Sequence, residues 1–163
     1  MSKRKGVVLI IDDEEEIRES IEVLLTSEGL TVDTAPSGEE GVKKIEENSY
    51  DAVLLDLMLP GKSGMEIQSI IKRIDPTMPV VIITAIGALE TAVTAIKEGS
   101  YDYITKPWNN EKLVVVVSNG IKQRQLMSEN SQLRRALKER FGYSSIIGKS
   151  EKILKVLDLV TQV

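Results

Sequence analysis

The sequence contains no cysteine and no histidine. The first absence removes any disulfide framework and any thiolate nucleophile, and it fits a reducing cytoplasm. The second excludes imidazole as a general base, a zinc ligand or a phosphoryl carrier. Chemistry is left to carboxylates, hydroxyls, lysine and arginine. Long apolar runs are also missing: none approaches the roughly 20 residues that a membrane span requires. The basic start, residues 1–5, leads into an apolar stretch at 7–11 that is too short for a signal sequence and runs straight into acids. A cytoplasmic protein with no membrane partner is expected.

What is present suits one full domain and part of another: 163 residues, 42% hydrophobic, with formal net charge −4. The charge is unevenly placed. Residues 1–118 hold 12 Lys and Arg against 21 Asp and Glu, a balance of −9, whereas residues 119–163 hold 9 against 4, a balance of +5. The basic residues of the second part are interspersed with apolar ones at helical spacing. They read as a solvated helix face, and no direct nucleic-acid binding is expected.

Four short Val/Ile/Leu-rich runs, at 6–11, 51–56, 79–83 and 101–105, are nearly continuous in apolar character, as strands buried on both faces of a parallel sheet are. A weaker strand lies at 31–35. Helical patterns separate them. Residues 14–28 place Ile17, Ile21, Leu24 and Leu25 on one face, and residues 38–48 place Val42 and Ile45 inward, with Ser37 and Glu40 in a capping-box pattern. Residues 64–74 offer Ile67, Ile70, Ile71 and Ile74; residues 88–97 offer Ala92, Val93 and Ile96, with Gly99 as the stop. Five β-α repeats imply an α/β fold, a doubly wound five-stranded parallel sheet of flavodoxin-like order 2-1-3-4-5, with right-handed crossovers and an extended C-terminal helix.

In such sheets ligands bind at the carboxyl ends of the strands. Here those ends carry Asp12 and Asp13, Asp56, Thr84 and Lys106. Asp56 ends its strand and opens into a loop containing Pro60, Gly61 and Gly64. An aspartate so placed can accept a phosphoryl group as an aspartyl phosphate. The incoming group carries spread negative charge, so a bridging cation is needed. Mg²⁺ fits, with Asp13 and Asp56 as direct ligands, Asp12 as a ligand through water, and the Met58 backbone carbonyl as the third protein ligand. Lys106 would pair with one phosphoryl oxygen and Thr84 would donate to another. Without metal, mutual repulsion should raise at least one of the acids' pKa values. Asp12 and Asp13 also suit a plainer role, as N-terminal caps for the helix that follows.

The last helix starts near Asn109 and meets no obvious stop before Gly142. Leu113, Val116, Val117 and Ile121 can face the sheet. Beyond them Leu126 and Leu133 fall at heptad d positions, Asn130 and Leu137 at a positions. A single buried Asn at a fixes the register of parallel coiled-coil dimers, so a homodimer is expected through this helix. After Gly142 a new amphipathic pattern places Ile153, Val156, Leu157 and Val160 on one face.

VLIIDD at 8–13, LLDLMLPG at 54–61, ITA at 83–85 and YITKP at 103–107 resemble the four signatures of the response-regulator receiver domain. The resemblance covers residues 6 to about 122. It implies phosphorylation of Asp56 by a sensor histidine kinase and a switch in which Thr84 moves toward the phosphoryl group while Tyr103 turns inward. It also implies a cis peptide before Pro107. The chain would accept a phosphoryl group rather than act as an enzyme. The order of parts is similar to NtrC-type regulators, whose central domain is a sigma-54-activating AAA+ ATPase. That implies a receiver at 1–122, a coiled-coil linker at 123–142 and the first segment of the ATPase at 143–163, with the downstream ATPase domain of the longer protein as a partner. Gly148-Lys149-Ser150 is not a P-loop: the motif needs glycine at 143, which is Tyr143, and no strand precedes it. Three other functions fit the residues less well. A haloacid-dehalogenase-type phosphatase needs an acid two residues after its nucleophile, where this chain has Met58. A stand-alone receiver signalling by binding leaves the linker and the residues after Gly142 without a role. A Rossmann dinucleotide site needs a glycine-rich turn after the first strand, which is missing.

Overall fold

The computed structural model describes residues 6–85 and 89–141, the side chains of Leu89 and Phe141 excepted. Strands and helices alternate: β1 (Val7–Ile11), α1 (Glu15–Ser27), β2 (Thr31–Ala35), α2 (Gly38–Glu47), β3 (Ala52–Asp56), α3 (Gly64–Ile74), β4 (Val80–Ala85), α4 (Leu89–Lys97), β5 (Asp102–Lys106) and α5 (Asn110–Phe141). The five strands form one sheet in the order β2-β1-β3-β4-β5, and every neighbouring pair is parallel. This is the doubly wound topology expected from the sequence.

The period of two along each strand divides the core into two layers. Val8, Ile10, Leu54, Val81 and Ile83 point to one face, where they meet Ile21 and Leu25 of α1 and Leu113, Val117 and Ile121 of α5. Leu9, Ile11, Val53, Leu55 and Ile82 point to the other, against Ile45 of α2, Ile67 and Ile71 of α3, and Ala92 and Ala95 of α4. Each fully buried Leu or Ile removes apolar surface worth about 1.5–3 kcal/mol, so the three central strands fix the sheet. The edge strands are less apolar because one side of each faces solvent. That is why β2, with the sequence TVDTA, reads weakly. It is pinned instead by polar contacts: Lys44 Nζ and Tyr50 OH donate to the two oxygens of Asp33 at 2.8 and 2.6 Å.

Helix starts follow local capping. Ser37 Oγ accepts from the Glu40 amide, Ser63 Oγ from the Glu66 amide and Asn109 Oδ1 from the Lys112 amide. Two inward assignments need correction. Val93 is 44% exposed while Ala95 is fully buried, because the face of α4 that meets the sheet is centred on positions 92, 95 and 96; position 93 lies about 100° of helix rotation away. Ile74, at the last turn of α3 where the chain leaves the sheet, is 40% exposed. The chain divides into two compact units, Met1–Ile121 and Lys122–Val163. In the second, Leu126 and Leu133 are 49% and 53% exposed, and Asn130 and Leu137 are half-buried. The segment 143–163, including Ile153, Val156, Leu157 and Val160, lies outside the described residues.

Candidate functional site

Strand register alone brings the candidate residues level. Ile11 pairs with Leu55, so Asp12 and Asp56 are the next residues of adjacent strands. Asp56 pairs with Ile83, which sets Thr84 one step beyond it, and Ala85 pairs with Lys106. Asp12, Asp56 and Thr84 are all buried; Asp13 is exposed. The carboxyl edge of the sheet therefore holds two buried acids and a buried hydroxyl side by side, beneath a lysine.

Lys106 joins them. Its Nζ lies 3.0 Å from Asp56 Oδ2, to which it donates a hydrogen bond, and 3.0 Å from Asp12 Oδ2. It also approaches Glu14 Oε1 at 3.5 Å. The other oxygens of the two acids are held by the backbone: Asp12 Oδ1 accepts from the Glu14 amide at 2.9 Å, and Asp56 Oδ1 from the Met58 amide at 2.9 Å. Asp12 thus closes the turn that leads into α1 while contributing a charge to the site; it does not cap the helix, because the N-cap position falls to Glu14 and no side chain caps α1. Arg18 Nη1 secures this turn by donating to the Asp12 carbonyl at 2.7 Å. Among the described residues the Thr84 hydroxyl makes one long 3.4 Å contact, to the Ala85 carbonyl, and is weakly held by it.

Burial is the main reason the Asp12 carboxyl sits above the usual carboxylate range; the Glu14 amide and Lys106 pull it down, and the charge of Asp56 adds to the rise. Repulsion among the acids alone predicts a rise. Repulsion contributes, but desolvation is larger. For Lys106, burial works against the ammonium, yet its pairing with the Asp12 and Asp56 carboxylates outweighs it and lifts the amine above its ordinary value.

The donor set fits a hard divalent cation. Asp12, Asp13, Glu14 and Asp56 each bring a carboxylate oxygen into a cluster whose atoms lie within 4.8 Å of one another. Asp12 Oδ2 is buried beside a cation without an aligned hydrogen-bond donor. Only oxygen ligands are offered, as Mg²⁺ requires. Met58 turns its side chain outward, 67% exposed, while its amide lies against Asp56.

Two further sequence candidates, Pro107 and Tyr103, lie near this centre. The Lys106–Pro107 peptide is cis. Tyr103 is half-buried on β5 and packs on the core layer that includes Ala92 and Ala95 of α4. Glu14 and Trp108 were not singled out by the sequence. Glu14 was legible only as a first-turn helix acid. Trp108 borders a groove of about 1090 Å³ that opens between α1 and the start of α5, lined also by Ile17, Val23, Leu24 and Lys106.

Comparisons with known proteins bear on the family and the fold. The family described as the response regulator receiver domain matches residues 8–118. An NtrX-like response regulator of Rickettsia bellii is 40% identical over 150 residues, covering 91% of this chain and 31% of the relative. The crystal structure of a response regulator receiver domain protein from Clostridium thermocellum superposes with a TM-score of 0.72 at 40% identity, covering 75% of this chain and 98% of that one. NtrX from Brucella abortus gives 0.76 at 34% identity, over 79% of this chain and 30% of that one. The chain thus spans about a third of the length of the curated relatives it matches.

Proposed function

The chain belongs to the response regulator receiver domain family, and from that premise we propose that it is a phosphorylation switch with Asp56 as its acceptor. The observation that carries the reading is the bridge made by Lys106 between Asp12 and Asp56 at one strand edge, with Thr84 one residue away in register. An Asp56 oxygen attacks the phosphorus, the bond to the donor's leaving group breaks, and an acyl phosphate forms on Asp56. Lys106 gives up its bond to Asp56 and pairs with a phosphoryl oxygen. The weakly held Thr84 hydroxyl turns to donate to another. Asp12, Asp13 and Asp56 would hold Mg²⁺ with the Met58 carbonyl, Asp12 through water. Bound there, the ion supplies charge neutralisation between the carboxylate and the phosphoryl oxygens. With Met58 where an acid would be needed to turn over external esters, the acyl phosphate serves as a signal.

The phosphodonor is a sensor histidine kinase in this proposal, and the apolar groove beside Lys106 gives it a surface to seat on. Thr84, α4, Tyr103 and α5 form the output face. By likeness to NtrX and NtrC-type regulators, the output is control of a downstream sigma-54-activating AAA+ ATPase, and so of transcription, in a cytoplasmic protein. Among the described residues no helix is long and apolar enough to cross a membrane.

Trp108, the one tryptophan of the chain, lies two residues from Lys106 and reports on the site. Its emission should change saturably when a small phosphodonor such as acetyl phosphate is added with Mg²⁺, and chelating Mg²⁺ should abolish the change. An identical response in excess chelator would count against a cation-dependent reaction.

The exposed Leu126 and Leu133, in register with Asn130 and Leu137, support a dimer through the second half of α5. Light scattering well above micromolar concentration should give twice the chain mass. Replacing Leu126 and Leu133 together with Ala should weaken association by more than about 10²-fold, given at least ~2 kcal/mol per truncated buried leucine. A monomer at all concentrations removes the dimer from the account.

A further inference from the structure

Among the described residues, α4 covers the sheet with small side chains. Its fully buried side chains are Ala92 and Ala95, whereas α1 buries Ile21 and Leu25 and α3 buries Ile67 and Ile71. An alanine methyl removes far less apolar surface than those branched chains, so these two residues add little hydrophobic adhesion to α4. A polar contact does part of that work. Gln68, on α3 and only 1% exposed, donates from Nε2 to the Ala95 carbonyl at 3.0 Å. A carbonyl can only accept, which sets the orientation of the Gln68 amide.

The polar pairing around that carbonyl is lopsided. The Ala95 oxygen also receives the Ser100 amide at 3.1 Å and the Glu98 amide at 3.2 Å. The first belongs to the C-terminal turn of α4, in which the Gly99 amide meets the Ile96 carbonyl and Gly99 takes φ of +112°. Three donors thus approach one oxygen, which has two lone pairs, and the Glu98 amide is shared with the Thr94 carbonyl at 3.0 Å. Meanwhile Gln68 Oε1 and Ser100 Oγ are both buried and have no partner among the described residues. One is an acceptor and the other can donate. Each belongs to a residue that already binds the same carbonyl.

We propose that Gln68 is the positioning residue that holds α4 in its resting place, and that pairing between Gln68 Oε1 and the Ser100 hydroxyl stabilises a second, displaced position. The placement connects this catch to the site. α3 follows the loop that begins at Asp56, and α4 follows β4, which carries Thr84. A movement of Thr84 toward a phosphoryl group pulls on one side of the Gln68–Ala95 contact while the loop after Asp56 sets the other. The resting catch is independent of the phosphorylation reading; only the trigger for the exchange rests on it.

Hydrogen exchange and chemical shifts on the whole chain test both parts. With no activator present, Gln68→Met, which keeps volume and removes the amide, should speed exchange of the α4 amides about tenfold, as expected for one buried hydrogen bond lost. The sheet-facing amides of α1 should be unaffected. In the wild type the Gln68 side-chain amide protons should be protected at rest. Equal α4 exchange in both proteins, or unprotected Gln68 protons, overturns the catch. With beryllofluoride and Mg²⁺, the Gln68 side-chain and Ser100 amide signals should shift, and in Ser100→Ala the shift at Gln68 should be largely lost although signals next to Asp56 still saturate. If Ser100→Ala follows the wild type, the second pairing is wrong. Signals next to Asp56 that ignore beryllofluoride would refute the acceptor reading instead, and the resting measurements would still decide the catch.

Discussion

Asp56→Asn should reduce phosphoryl uptake from a small donor by more than about 10³-fold, because the amide oxygen has neither the charge nor the basicity of the attacking carboxylate. The variant should fold. Lys106 keeps Asp12 as a partner at 3.0 Å, and Asn retains an oxygen that can accept from the Met58 amide. One buried negative charge near Asp12 is removed, which relieves part of the rise in the Asp12 pKa. Thermal unfolding within a few degrees of wild type, alongside lost uptake, separates a chemical defect from a folding one. Uptake at the wild-type rate would remove Asp56 from its role.

The second large effect is structural and sits behind the acceptor. Gly64 opens α3, and its amide donates to the Leu57 carbonyl at 3.1 Å. A Cβ there would lie 2.5 Å from Leu57 Cα and 2.6 Å from the Asp56 carbonyl oxygen. Both obstacles are backbone, so no side-chain rotation relieves them. Gly64→Ala must push the loop or α3 away from β3, and should cost about 3 kcal/mol, the upper part of the range for overpacking. The same shift moves the Met58 amide from Asp56 Oδ1 and the loop that carries the proposed metal ligand. Uptake in the folded fraction should fall about 10²-fold, the scale of an ångström of misplacement at a reacting centre. Denaturant unfolding and initial uptake rates measure the two effects separately. A variant as stable as wild type would mean that the close approach of Gly64 to β3 has been misread.

Much of this architecture could be read from the chain because buried parallel strands and amphipathic helices leave distinct periods. The runs before Asp12, Asp56, Thr84 and Lys106 are strands, and the sheet order makes their ends converge. Convergence follows from topology, so four residues spread over almost a hundred positions could be assembled without coordinates. Fine contacts were less accessible. Val93 and Ala95 of α4 both suit a helix interior by type, and only the packing angle shows which is covered. Gln68 looks like an ordinary surface glutamine until the approach of Ala95 shows what its amide binds. Glu14 offered no signal beyond its place after two aspartates, yet the turn that Asp12 makes brings it to Lys106. Mutual repulsion implies a raised pKa for at least one of the three acids, but that the rise falls on Asp12, and that burial is its main cause, depends on how the strand ends are covered.

The claim that Asp56 is a phosphoryl acceptor is tested most directly by locating the phosphoryl group. The wild-type chain is treated with acetyl phosphate and Mg²⁺, trapped in acid, and analysed by intact mass and peptide mapping with and without hydroxylamine, which cleaves acyl phosphates but not phosphate esters. The account predicts a single added phosphoryl group, on the peptide containing Asp56, removed by hydroxylamine and absent when Mg²⁺ is chelated. A phosphoryl group found on a serine or threonine, resistant to hydroxylamine, or none at all while the Trp108 signal still responds, would contradict it.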